Sequence, residues 1–310
     1  MRLVKVYTPR RLREKNRWLR SDGRPNFKDR VYEREPELSP IVRRDVPSVN
    51  TSSTILRVCE LMSKHNSRLI SVASGGGEVV GVLTAMDLID YLGGGPKHNL
   101  VKASGLDTIH EALNVPAGKV MHENPLKVDV NTPLYRVLEL MVNYGLGAVP
   151  VTSNEMYVGV LTEFEIMKYL SIKYVGIPVC KVMSKEVITI PSTASLGEAM
   201  KMMVSLGIRR LPVIDGESLR GMITWKDVID LIGTHKVYGM LKYGFLSELA
   251  SLRIPDVMNT EVFVIDPQAD LGEAASMIVK TATSSLLVVE NGVVTGIITE
   301  RDVIYGLVVG

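Results

Sequence analysis

The sequence predicts an α/β (α+β) fold made of four β-α-β-β-α repeats that are grouped as two pairs. A heptad with the pattern Gly-apolar-apolar-Thr-x-x-Asp/Glu occurs four times, each time after a short β-branched run and before an apolar run with helical spacing. The first and second heptads are separated by a long stretch that contains a helical spacer, and so are the third and fourth. The stretch between the second and third heptads is shorter and contains none. An internal repeat of this kind sets the architecture. The heptads span residues 81–87, 159–165, 221–227 and 296–302.

Each heptad predicts a strand that ends at its threonine and turns directly into a helix. The threonine hydroxyl and the carboxylate three residues later then lie beside the helix N-terminus. There, free N–H groups and a partial positive charge favour phosphate, while the carboxylate suits the hydroxyl groups of a sugar. The same geometry also permits a purely structural role, in which these side chains cap the helix.

The spacing of the repeats divides the chain into seven segments. The helix of repeat 2 is predicted to open at Asn131-Thr-Pro133, a cap residue followed by proline in the first turn. Repeat 4 carries the hairpin signal Asn291-Gly292. The predicted segments are a basic arm at 1–44, repeat 1 at 45–92, a helical spacer at 93–118, repeat 2 at 119–170, repeat 3 at 180–232, a second helical spacer at 233–254 and repeat 4 at 255–308.

The arm differs from the rest of the chain in charge. Residues 1–44 contain 14 Lys and Arg against 6 Asp and Glu, whereas the remaining 266 residues contain 22 against 28. Arginine binds phosphate through two hydrogen bonds and stacks on bases, and interleaved aromatic side chains add stacking surfaces, so this mixture suits RNA. A solvated tail, or one that folds back on the acidic body, is the alternative. The predicted RNA-binding residues are Arg10, Arg11, Arg13, Lys15, Arg17, Trp18, Arg20, Arg24, Lys28 and Arg30.

Other functional classes find little support in the sequence. No apolar run reaches the roughly 18 to 20 residues that a membrane helix requires, so no membrane partner is expected. Cys59 and Cys180 lie far apart in apolar contexts, which fits buried thiols and a cytoplasmic location. The five histidines form no metal-binding pair, and no catalytic triad is apparent. The sequence therefore predicts a regulatory or binding protein with no enzymatic activity and no bound metal.

These features together resemble the CBS (cystathionine β-synthase) domain. Besides the β-α-β-β-α unit and the closing heptad, the resemblance rests on a Val-Met pair ahead of three repeats, at residues 120–121, 182–183 and 257–258. It covers about residues 41–308. It implies two CBS pairs packed into a disc, similar to the γ subunit of AMP-activated protein kinase and to free-standing proteins with four CBS domains. In that family the clefts between paired domains bind adenine nucleotides.

The resemblance also implies roles for particular residues, in which the motif carboxylate holds the ribose and the motif threonine and nearby basic residues hold phosphate. Three copies match fully, while Glu165 replaces aspartate in repeat 2 and makes that cleft the weakest candidate. The cleft of repeat 3 is the strongest, because Arg209-Arg210 stands at the family's basic position. The residues expected to bind AMP, ADP or ATP are Thr84, Asp87, Arg68, Thr162, Glu165, Thr224, Asp227, Arg209, Arg210, Lys226, Thr299, Asp302 and Arg301.

Three functions remain open. The favoured one is an energy-linked translation inhibitor or hibernation-type factor, whose arginine-rich arm docks a nucleotide-binding body on RNA. The expected RNA is that of the ribosome, with ribosomal proteins as further contacts. The second is a γ-like regulatory subunit of a kinase or another enzyme, and the third is a ligand buffer whose arm merely confers solubility. The arm favours the first, because phosphate backbones call for many arginines and kinase regulation does not.

Overall fold

The protein is described here from a computed structural model, in which residues 37–170, 175–216 and 218–309 are defined. Four three-stranded sheets, one for each repeat, confirm the predicted α/β fold. The strands are β1 (Leu69–Ala73), β2 (Val79–Thr84) and β3 (His122–Glu123); β4 (Val128–Asp129), β5 (Ala148–Ser153) and β6 (Met156–Thr162); β7 (Ile190–Pro191), β8 (Arg210–Asp215) and β9 (Ser218–Thr224); and β10 (Val264–Ile265), β11 (Ser285–Glu290) and β12 (Val293–Thr299).

Helices follow the order that the repeats predict. Each repeat has one helix before its hairpin and a second that begins directly after the motif threonine, and the two spacers add short helices of their own. The α-helices of the described residues are α1 (Ile55–Lys64), α2 (Ala85–Ile89), α3 (His98–Ala103), α4 (Ile109–Leu113), α5 (Leu134–Asn143), α6 (Glu163–Tyr169), α7 (Leu196–Leu206), α8 (Trp225–Gly233), α9 (Val237–Met240), α10 (Leu246–Ser251), α11 (Leu271–Thr281) and α12 (Glu300–Val309).

The hairpins of the four repeats share one register. In each, the motif threonine lies opposite the first residue of the preceding strand, and a bulge interrupts the pairing near its middle. In each hairpin, the residue after the motif threonine also donates its backbone N–H to a backbone carbonyl group, that of the residue just before the first strand of the hairpin. The repeated sequence thus produces four equivalent strand-to-helix turns. The threonine pairs are Leu69–Thr84, Ala148–Thr162, Arg210–Thr224 and Ser285–Thr299.

Repeats 1 and 2, and repeats 3 and 4, are joined by exchanged lead-in segments. The segment ahead of repeat 2 pairs with the last hairpin strand of repeat 1, where His122 lies opposite Val82. The Val-Met pairs have a packing role in this exchange, because a Cβ added to Gly81 would lie 2.3 Å from the sulfur of Met121. Because Gly81 has no side chain, Met121 of the neighbouring repeat can pack against its backbone. Equivalent bridges are Arg43–Val160, Ser184–Ile297 and Met222–Asn259.

The predicted arm, residues 1–44, extends too far into the folded body. Leu38 is fully buried, and Ile41 and Val42 are also buried, in the core that contains repeat 2. A Cβ on Gly159 would lie 2.7 Å from Val42, so Ile41-Val42 is the lead-in pair of repeat 1. The sequence analysis missed it because valine replaces methionine there.

Helices join the two pairs. Helices α1 and α2 of repeat 1 pack on α7 and α8 of repeat 3, and α6 of repeat 2 packs on α11 and α12 of repeat 4. One hydrophobic core is consequently built mainly from repeats 1 and 3, and the other from repeats 2 and 4. Each repeat thus contacts one neighbour through its lead-in segment and another through its helices, which closes the two pairs into one body. None of the helices in the described ranges has the length and apolar character to cross a membrane.

Candidate functional site

In three repeats the motif carboxylate is held by its own threonine. The Thr299 backbone N–H and hydroxyl donate to Asp302 Oδ2 over 2.9 and 2.6 Å, and the corresponding distances are 2.8 and 2.6 Å for Thr84–Asp87. For Thr224–Asp227 both are 2.7 Å. The structural role of the motif, capping the helix, is therefore present. In all three motifs it uses the same carboxylate oxygen, Oδ2.

Repeat 2 departs from this geometry, as its glutamate predicts. The Thr162 hydroxyl still donates to Glu165, but it accepts from the Phe164 N–H, one residue earlier than in the aspartate motifs. The Glu165 carboxylate lies 3.7 Å from Arg43 Nε. The extra methylene group thus carries the carboxylate away from the threonine N–H and towards an arginine.

Six charged side chains meet where the four repeats converge, and we call them the central ionic cluster. Arg68 of repeat 1 lies 3.1 Å from Glu300 and 3.4 Å from Glu163. Arg209 of repeat 3 lies 3.9 Å from Glu163, which Arg301 also contacts. Four guanidinium groups thus outnumber the two carboxylates within the cluster, while Glu165 and Asp302 act on Arg68 and Arg210 from just outside it. The cluster consists of Arg68, Glu163, Arg209, Arg210, Glu300 and Arg301.

The pKa values reflect this imbalance. Burial alone would raise the pKa of Glu163, but Arg301, Arg68 and Arg209 outweigh it and hold the pKa at about 2. Burial and the charge of Arg68 lower the pKa of Arg209 to about 9, which indicates that its charge is poorly compensated. The pKa of Glu300 is raised, because its burial outweighs the attraction of Arg68. The charge of Arg209 is therefore poorly compensated, whereas, despite burial, the neighbouring carboxylates raise the pKa of Arg68.

The cleft of repeat 4 opens onto this cluster, and we call it the Asp302 cleft. It is a cavity of ≈ 180 Å³ with an apolar wall that includes Val187, Ile188 and Ile208. Its polar lining consists of Thr299, Asp302, Arg209, Arg210, Glu163, Glu300, Arg301, Ser184 and Glu186. Arginines, a motif carboxylate and an apolar wall thus line one cavity.

The expectation that Arg209-Arg210 serves the cleft of repeat 3 is wrong. Both arginines line the Asp302 cleft, whereas Asp227 lies in a different cavity of ≈ 1180 Å³. Lys226 also lines the larger cavity, but its Nζ lies 2.5 Å from Asp230. The same cavity reaches the Glu165 motif of repeat 2 and Arg68. Arg209 and Arg210 of repeat 3 therefore lie beside the motif of repeat 4, and Arg68 of repeat 1 shares a cavity with the motifs of repeats 2 and 3.

The Asp87 carboxylate of repeat 1 has two further partners that the sequence analysis did not identify. Lys97 Nζ, from the first spacer, lies 2.9 Å from Asp87 Oδ1, and His122 Nε2 lies 2.6 Å from the same oxygen. Burial opposes ionisation of Asp87, but its bonds to Thr84 and the charge of Lys97 lower its pKa. Thr84 thus contacts one oxygen of the Asp87 carboxylate, and Lys97 and His122 contact the other.

Sequence reasoning also missed the two buried glutamates of the central cluster. Glu163 and Glu300 follow directly after the motif threonine in repeats 2 and 4, whereas Ala85 and Trp225 stand at that position in repeats 1 and 3. This alternation was the available signal. No group of three potential metal ligands occurs within the residues that the structure defines. The predicted RNA-binding residues, from Arg10 to Arg30, all lie outside the described part of the chain.

The repeated turn, the exchanged lead-in segments and the carboxylate beside a basic cleft define a CBS-domain protein. The chain belongs to that family, since the family model for the CBS domain matches residues 38–94, 117–172, 179–234 and 254–308. The first match begins at Leu38, the first buried residue described above.

Two archaeal proteins are similar over most of this chain. An uncharacterized 33.4 kDa protein in the ribosomal RNA operon of Thermofilum pendens is 31% identical over 257 residues, 83% of this chain and 86% of that protein. Protein MJ1225 of Methanocaldococcus jannaschii, described as a candidate archaeal homologue of the γ subunit of AMP-activated protein kinase, has a crystal structure. That structure matches with a TM-score of 0.81 and 26% identity, covering 87% of this chain and 99% of its own.

Proposed function

We propose that this protein is a non-enzymatic regulator that binds an adenine nucleotide in the Asp302 cleft. The observation that carries the proposal is the combination of Asp302, Arg209 and Arg210 around one cavity. The adenine ring would pack on the apolar wall, the ribose hydroxyls would donate to Asp302, and the phosphate would face Arg209, Arg210 and Arg301. The resemblance to the γ subunit of AMP-activated protein kinase, to which MJ1225 is also compared, implies the same class of ligand.

The poorly compensated charge of Arg209 supports a phosphate at this position. An unpaired guanidinium in a buried site is costly, and an incoming phosphate would compensate it through charge-assisted hydrogen bonds. Glu163 and Glu300, with Glu165 acting on Arg68 and Asp302 acting on Arg210, already compensate much of the charge. A ligand with few phosphate charges would therefore suffice to balance the remainder, which favours AMP among the three candidates.

Calorimetry with AMP, ADP and ATP tests the proposal. Asp302→Ala should lower the affinity of this cleft roughly tenfold or more, because hydrogen bonds to a charged acceptor contribute about 1.5–3 kcal/mol. Asp215→Ala is the control, because its carboxylate is exposed and pairs only with Arg220 among the residues whose contacts are defined. Equal affinity in wild type and Asp302→Ala would refute the assignment.

We further propose that the arginine-rich arm docks this nucleotide-binding body on ribosomal RNA in the cytoplasm, as an energy-linked inhibitor of translation. The charge difference between arm and body supports this, and so does the placement of the Thermofilum pendens relative in a ribosomal RNA operon. The likeness to MJ1225 instead favours the alternative, a γ-like regulatory subunit of a kinase or another enzyme.

Co-sedimentation with ribosomal particles, with and without AMP or ATP, distinguishes the two. Docking through the arm should weaken with salt, with a log–log slope of roughly −0.7 to −0.9 per phosphate contacted. Trp18→Ala should cost about 1–3 kcal/mol of stacking and leave that slope nearly unchanged. A variant without residues 1–36 is the control. If the full chain forms no complex at low salt, the RNA proposal fails and the enzyme-regulator function takes its place.

A further inference from the structure

One position of the lead-in segment differs in charge between the two pairs of repeats. This position lies opposite the strand that leads to the partner's motif, and we call it the lead-in residue. In the pair of repeats 1 and 2 it is basic, and in the pair of repeats 3 and 4 it is small and uncharged. The lead-in residues are Arg43, His122, Ser184 and Asn259.

Both basic lead-in residues approach a motif carboxylate. His122 Nε2 lies 2.6 Å from Asp87 Oδ1, and Arg43 Nε lies 3.7 Å from Glu165. Asp87 Oδ1 also accepts from Lys97, while its Oδ2 accepts the N–H and hydroxyl of Thr84. A carboxylate offers about four acceptor positions, so four donors fill Asp87. The chain itself thus occupies the oxygen that a ribose would need.

The Asp227 carboxylate of repeat 3 presents the contrasting case. Its Oδ2 accepts the N–H and hydroxyl of Thr224, as Asp87 does from Thr84. Across the described ranges, its Oδ1 has no hydrogen-bond partner, and the lead-in residue opposite is Asn259. Burial raises the pKa of Asp227, whereas the pKa of Asp87 is lowered. Asp227 therefore retains an acceptor that faces its cavity.

We infer that the lead-in residue determines which clefts accept a nucleotide. In repeat 1, His122 and Lys97 take the place of the ribose hydroxyls and keep the cleft of Asp87 closed to nucleotide. In repeat 3, where the lead-in residue is Asn259, the cleft of Asp227 binds it. This inference rests on the proposed function and assigns a structural role to the motif of repeat 1. A ribose entering at Asp87 would have to displace charge-assisted bonds that neutral hydroxyls replace poorly.

Matched substitutions at the two aspartates test the inference by calorimetry with AMP. Asp87→Asn should leave the stoichiometry and Kd of the wild type unchanged, whereas Asp227→Asn should remove one binding event. The double variant Lys97→Ala/His122→Ser should gain one, because it leaves Asp87 Oδ1 without its two donors. Thermal unfolding of each variant shows whether it is folded.

The outcomes separate the inference from the proposed function. If wild type binds AMP and Asp87→Asn loses a binding event, the inference is overturned and the proposed function stands. A double variant that is folded and gains no binding event also overturns it. If wild type binds no nucleotide at all, both fail. Unchanged binding in Asp87→Asn, together with a loss in Asp227→Asn, supports the inference.

Discussion

Replacing Glu163 by glutamine should lower the stability of the protein and, at the same time, raise its affinity for phosphate. The side chain is nearly fully buried, and Arg301, Arg68 and Arg209 surround it. Glutamine keeps the shape but removes the charge that compensates these guanidinium groups. The unliganded protein loses stability, while the position that a phosphate would take becomes more positive.

The pKa of Glu163 gives the size of the effect. The pKa falls from an ordinary 4.5 to about 2 in the folded protein, so the ionised form stabilises the fold above pH 4.5. At 1.36 kcal/mol for each pKa unit, this contributes about 3 kcal/mol at neutral pH. With an unfolding entropy of roughly 2.1 cal/mol/K for each residue, the loss lowers Tm by roughly 5 °C. The difference in Tm between wild type and Glu163→Gln should diminish as the pH falls from 4.5 towards 2, because Glu163 of the wild type becomes protonated in that range.

Differential scanning calorimetry across this pH range, with and without AMP, measures both effects. Glu300→Gln is the matched control: Glu300 occupies the same position in repeat 4, but its pKa is raised, so its charge contributes no comparable stability. AMP should raise the Tm of Glu163→Gln more than that of wild type. An unchanged Tm in Glu163→Gln, or a weaker effect of AMP on it, would refute this reasoning.

Two further predictions concern packing. Deleting residues 1–36 should leave the Tm of the body unchanged, whereas deleting residues 1–42 should lower it. The larger deletion also removes Leu38, Ile41 and Val42, and each buried apolar side chain contributes about 1.5–3 kcal/mol. Equal Tm values for the two deletions, measured by circular dichroism, would place these residues outside the core. Gly81→Ala should cost about 1–3 kcal/mol in urea unfolding because of its contact with Met121, and Gly75→Ala, which has open space around it, is the control.

The repeated turns could be predicted from sequence because their determinants are local. A threonine followed three residues later by aspartate fixes the helix start wherever it occurs, and Asn291-Gly292 lies in the turn between β11 and β12. The lead-in pair Ile41-Val42 was missed because valine replaces methionine there, so that only the contact of Val42 with Gly159, more than a hundred residues away, identifies it.

The composition of the clefts depends on tertiary contacts and could therefore be predicted only partly from the sequence. Arg209 and Arg210 were assigned to the motif of their own repeat, because nothing local shows that they line the cleft of repeat 4. Gly147 and Ser284 stand at the position that Arg68 and Arg209 occupy in repeats 1 and 3. In the structure their carbonyl groups accept from Arg68 and Arg210, so arginines of the odd-numbered repeats supply the positive charge.

The division of the two hydrophobic cores has a consequence for folding. Each core combines one repeat from the first half of the chain with one from the second, so neither half can bury its helices alone. Contacts between residues far apart in sequence must form before either core is complete, and such contacts slow folding. The molecule should consequently unfold in one cooperative transition, although its sequence suggests two separate pairs. A chain cleaved between repeats 2 and 3 would regain stability only when its fragments recombine, which makes recovery dependent on protein concentration.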